Sequence, residues 1–75
     1  MHCYFHPVSC HEVIPDEIGI EILDLDVACM EALKTVPELR EEIRRSGRNW
    51  WEWQIDVTDA SGTVLVSIRL DAQPL

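Results

Sequence analysis

No apolar run in this chain exceeds a few residues, far short of the roughly 20 that a helix needs to cross a bilayer. Nor does a basic region followed by an apolar stretch open the sequence. No secretory leader is therefore expected, and the cytoplasm is the expected compartment. Cysteine is scarce and odd in number, three residues at irregular spacing. That is not a disulfide framework, and the thiols are expected to be free. Basic residues are few as well: six Lys and Arg stand against fourteen Asp and Glu, a net charge of −8. Binding to nucleic acid draws on cations that neutralise phosphates, so a nucleic-acid partner is disfavoured, and anionic membranes are disfavoured for the same reason. P-loops, nucleotide-binding glycine patterns and Ser/His/Asp arrangements are all missing, so no catalytic residue is assigned and no cofactor is expected.

What is present reads as one folded domain over residues 1–75. Hydrophobic residues make up 47% of the chain, enough for a core, although so short a chain buries only about 60% of its unfolded surface. Residues 2–8 read as a first strand, with Tyr4 and Phe5 as strand formers and Pro7 suited to an edge or a strand end. A turn at Ser9 and Cys10 leads to a second short strand, Glu12–Ile14. Pro15-Asp16-Glu17-Ile18-Gly19 is a turn, and 19–22 a further extended piece. Asp24 is the helix N-cap, and Asp26 and Glu31 favour the positive end of the helix. Leu25, Ala28/Cys29, Ala32, Val36, Leu39 and Ile43 form one helical stripe that keeps its phase across Pro37. Thr35 and Glu38 have capping-box spacing around that proline. A kinked, continuous helix is favoured over a restart, with Ser46-Gly47 ending it. Trp51, Trp53, Ile55 and Val57 alternate with Glu52, Gln54 and Asp56. Asp59-Ala60-Ser61-Gly62 turns the chain, and Val64, Val66, Ile68 and Leu70 alternate with Leu65, Ser67 and Arg69. The expected fold is α+β in the order β-β-α-β-β, one antiparallel sheet packed on a Pro-kinked helix.

These residues, in this order, resemble a family of small bacterial proteins, common in rhizobia and related alphaproteobacteria and catalogued as a domain of unknown function. Its members open on an aromatic run ending in His or Asp, matched here by Tyr4-Phe5-His6. A "DEEG-x-EL-x-DL-x-x-A-x-x-EA" stretch follows, matched by residues 16–25 with Ala28 and Glu31-Ala32. An Asp-x-x-Gly turn closes the pattern, matched by Asp59 to Gly62. Ile18 stands where an acidic residue is common, Cys10 where Gly is usual, and Pro37 within a helix usually unbroken. The resemblance covers nearly the whole chain and implies the fold. It carries over no catalytic residue, because it brings no established activity.

Every histidine and two of the three cysteines lie within residues 2–11. Strand alternation puts His2, Tyr4 and His6 on one face and Cys3 and Phe5 on the other. A metal would therefore have to be held by His2, His6 and, across the turn, His11; no CxxC knuckle is present, and no metal is assigned. The expected function is a non-enzymatic interaction module that binds a protein or a second copy of itself through its open sheet face or an edge strand. An apolar patch of Tyr4, Trp50 and Leu65 is its expected surface. The alternative is an antitoxin-like or nucleic-acid-linked regulator that uses the basic cluster Arg40–Arg48, with Arg44 and Arg45 as contacts.

Overall fold

The computed structural model of the protein describes residues 1–71. Four strands and one helix follow each other as β1 (His2–Val8), β2 (Ile20–Glu21), α1 (Leu25–Arg45), β3 (Gln54–Thr58) and β4 (Val64–Arg69), with a 3-10 turn at Trp50–Glu52. The strands form one antiparallel sheet in the order β2-β1-β3-β4. The element order and class are those the sequence predicts, but the second strand is not Glu12–Ile14. That segment forms no ladder: it makes an isolated bridge, Val8 with Val13, a turn bond from Ser9 N–H to the Glu12 carbonyl, and a bond from Ile14 N–H to the Pro7 carbonyl. The pairing that counts comes later, His2 opposite Glu21 and Cys3 opposite Ile20.

The helix begins where the sequence places it. The Asp24 carboxylate accepts from Val27 N–H at 3.0 Å, which satisfies one of the amides left unpaired in a first turn. It ends in two crossing bonds, Arg48 N–H to the Ile43 carbonyl and Gly47 N–H to the Arg44 carbonyl, the Schellman arrangement. Pro37 neither splits nor restarts it. The proline lies on the exposed side, where water can serve the carbonyl four residues before it. Thr35 caps nothing; its hydroxyl donates to the Glu31 carbonyl one turn back.

One face of the sheet meets the helix. Ala28, Ala32, Val36, Leu39 and Ile43 from α1 close over Cys3, Trp53, Ile55, Val57 and Leu70. Ile55 is 1% exposed, and truncating such a side chain to Ala costs about 3 kcal/mol. Arg40 ties the layers together: its guanidinium donates to the Leu70 carbonyl and lies 4.7 Å above the Trp50 ring. The tryptophans depart from the expected alternation. The 3-10 turn shifts the phase, so Trp51 is 49% exposed and Trp50 packs half-buried against the core. Regular alternation starts only at Trp53.

Candidate functional site

The other face of the sheet carries no helix. Along β1 it presents His2, Tyr4 and His6, the face predicted from alternation. His2 meets Tyr4 edge-on at 5.1 Å, and Tyr4 stacks on His6 at 6.2 Å with the rings 6° from parallel. Cross-strand neighbours place Asp56 beside His6 and Thr58 beside Tyr4. The result is a polar, half-buried aromatic column rather than an apolar platform.

The loop from Pro15 to Gly19 is fastened against this column. Asp16 is its anchor. One carboxylate oxygen accepts from Ile18 and Gly19 N–H, both at 3.1 Å, and the other accepts from Phe5 N–H at 3.2 Å. Burial pushes the Asp16 carboxyl up, but the amides of Gly19, Phe5 and Ile18 outweigh it, so its pKa lies below the usual value. Gly19 completes the turn at φ +66°. A Cβ there would stand 2.6 Å from the Cys3 carbonyl oxygen, 2.7 Å from His2 Nε2 and 2.9 Å from Tyr4 Cδ2. Only glycine fits both the backbone and the space. His2 holds the far end of the loop, with Nε2 2.9 Å from the Ile18 carbonyl and Nδ1 3.1 Å from Glu21 Oε2. Both partners are acceptors, so the imidazolium satisfies both bonds. The Ile18 carbonyl first, then Glu21, raises the His2 pKa.

Asp16, His6 and Thr58 have the composition of a catalytic triad and the wrong wiring for one. His6 Nδ1 accepts from Asp16 N–H at 2.9 Å. The ring proton of the neutral imidazole therefore sits on Nε2, which donates to Thr58 Oγ1 at 3.1 Å. A general base needs the reverse, with Nδ1–H donating to a carboxylate and Nε2 accepting from the hydroxyl. As wired, His6 takes no proton from Thr58. It clips the loop to β3.

The predicted metal ligands do not converge. Among the described residues, no group of three or more His, Cys, Asp or Glu side chains is gathered to hold an ion. Tyr4 separates His2 from His6, both ring nitrogens of His6 are engaged, and His11 sits exposed in the turn beyond the strand. The Tyr4, Trp50 and Leu65 patch does not assemble either, because Trp50 and Leu65 pack against the core while Tyr4 lies on the open face. Arg40, of the basic cluster, is spent on Leu70 and Trp50, and Arg48 on Glu12 at 2.7 Å. Arg44 and Arg45 share Glu41. The Arg48–Glu12 pair crosses a shallow cleft between the first turn and the end of α1, lined also by Ser9, His11, Asn49 and Trp53.

Sequence reading missed Asp16, Gly19 and Thr58 as members of this arrangement. For the first two a signal was present. Asp16-Glu17-Ile18-Gly19 repeats the Asp-x-x-Gly pattern of Asp59-Ala60-Ser61-Gly62, and in both an Asp oxygen accepts the amide two residues on. Thr58 lies 52 residues from His6 and carried no such mark.

Among the described residues no helix is long and apolar enough to cross a membrane. Neither a curated protein nor a solved structure matches the chain. A family model does, over residues 2–71; the chain belongs to the family described as a domain of unknown function, DUF6894.

Proposed function

We propose that this protein is a small non-enzymatic module that engages a protein partner through its sheet, by the edge of β4. The observation that carries this reading is an asymmetry. The helix covers one face, the 12–21 segment closes one edge, and among the described residues β4 ends the sheet on the other side, six residues long and without a proline. An open strand edge offers a row of backbone donors and acceptors for strand addition. The wiring of His6 and Thr58 supports the absence of acyl-transfer chemistry there. The ion pairing of Arg44, Arg45 and Arg48 supports a protein partner over nucleic acid. Free thiols fit action in a reducing cytoplasm.

The test uses the purified protein as bait in extract of its source cells, followed by reconstitution with each captured protein. Binding should survive the mutation Trp51→Ala and be lost in Ser67→Pro, which removes an outward amide while β3 and β4 stay paired. Reconstituted partners that bind Ser67→Pro as well as the native chain would overturn the reading.

A further inference from the structure

We infer that the corner where β2 passes into α1 docks a basic amphipathic helix of a partner protein. This surface works through side chains and is separate from the β4 edge, so it adds a second contact to the reading above.

Large aliphatic side chains crowd the surface of residues 18–25. Ile18 is 83% exposed and Leu23 85%, with Ile20 at 41% and Leu25 at 42%. Single exposed aliphatics are ordinary on a protein surface, but four in so short a stretch form a patch that folding leaves uncovered. The stretch is seated in the core by a different residue, Ile22, which is buried. Its backbone is held throughout. His2 Nε2 donates to the Ile18 carbonyl, Ile20 pairs with Cys3, Ile22 N–H bonds the Met1 carbonyl, and Asp24 caps the helix that Leu25 opens. The patch is therefore preformed, and a partner does not have to order it.

Local charge selects the occupant. No Lys or Arg precedes Lys34, while Glu17, Glu21, Asp24 and Asp26 alternate with the four aliphatics along the chain. Glu17 and Asp26 stand exposed, and among the described residues neither meets a cation. Apolar side chains edged by carboxylates repel nucleic acid and anionic membranes and attract Lys and Arg. The corner suits a strand poorly. The regular ladder of β2 is two residues long, closed by the Gly19 turn before it and the Asp24 cap after it, too short an edge to extend. A helix brings its backbone already bonded, and one apolar stripe flanked by Lys or Arg matches both features of the patch. A second copy offers no such helix, since α1 carries more acids than bases and its Arg44 and Arg45 share Glu41.

Titration of a synthetic helix of about 15 residues, leucine on one face and lysine on the other, into the full chain tests this by calorimetry and amide chemical shifts. The peptide should bind, with shifts centred on residues 17–26. The double variant Ile18→Ser/Leu23→Ser, at exposed sites, and the charge reversal Glu17→Lys/Asp26→Lys should each bind it roughly tenfold more weakly. The charge-reversed chain should instead take up a leucine–glutamate peptide of the same pattern, which a misfolded chain would not do. Ser67→Pro should bind the lysine peptide as the native chain does, so failure here and failure of the β4 reading are told apart. A native chain that ignores the peptide overturns the inference. So do equal binding of a scrambled peptide, shifts centred on β4 or on residues 37–45, and uptake by anionic vesicles. A native dimer broken by Ile18→Ser/Leu23→Ser also overturns it, since a second copy would then be the occupant.

Discussion

The two edges of this sheet are built on opposite plans. On the β2 side only two residues pair in regular ladder form, and the chain from Glu12 to Glu21 is otherwise held to β1 by unlike contacts. Ile14 bonds the Pro7 carbonyl, Asp16 takes the Phe5 amide in place of a strand carbonyl, and His2 clasps Ile18 and Glu21. Pro7 has no amide to offer on that side, so the gap in the ladder falls where the donor is missing. Irregularity, a proline and inward carboxylates are the devices that keep an edge from recruiting another strand. On the β4 side the ladder is regular up to one shift at Val57/Thr58, and the strand has no lysine, no proline and no acid. Among the described residues, one edge is thus closed by side chains and the other ends in a regular strand. The contact proposed for β4 rests on that difference.

Changes at the closed edge should be the costly ones, beginning with its glycine. Gly19→Ala combines a left-handed backbone with a clash against the Cys3 carbonyl, and should lose about 3 kcal/mol of stability in urea unfolding. Gly62→Ala, with φ +87° and open space around it, should lose only about 1 kcal/mol. Equal losses would mean that the loop is not fitted to β1. Next in size, Asp16→Ala strands three amides and should cost about 2 kcal/mol near neutral pH. Because the folded pKa of Asp16 is lowered, its contribution is present above the ordinary carboxyl value of 3.8 and is lost as pH falls through the folded value. The variant should therefore be the less acid-sensitive of the two proteins.

Smaller effects follow along the column. Thr58→Val, at a site 6% exposed, removes the acceptor of His6 Nε2–H and should cost about 1 kcal/mol. His2 should show its role through pH. Its folded pKa is raised, so the clasp contributes fully below the ordinary histidine value of 6.5 and fades as pH rises through the folded value. Native protein should lose stability between about pH 5.5 and about pH 8.5 relative to His2→Gln. Parallel pH profiles for the two proteins would remove His2 from the closure.

How much of this was legible depended on the range of the interactions. Asp24, the stripe to Ile43 and the Ser46-Gly47 end are local, and the helix follows from them. The final hairpin likewise follows from period-2 alternation and the Asp59 turn. The tryptophan phase was not legible, because a 3-10 turn at Trp50–Glu52 interrupts the alternation that seemed to start at Trp51. Helix spacing made Arg40 to Arg48 look like a free basic face. Glu41 is a helical neighbour, but Glu12 and the Leu70 carbonyl, 36 and 30 residues away, are partners that no local pattern reveals. The two extended pieces at 12–14 and 19–22 were visible, but not that they are halves of one interrupted edge. That depends on Asp16 replacing a strand, a substitution of side chain for backbone.

Amide hydrogen exchange followed residue by residue, in the free protein and with a reconstituted partner, compares the two edges in one experiment. The Phe5 amide should exchange slowly in both, because Asp16 holds it within the chain. The Ser67 amide should exchange quickly in the free protein and become protected in the complex. A Phe5 amide that exchanges quickly, or a Ser67 amide indifferent to the partner, would contradict the assignment of a closed edge and a contact edge.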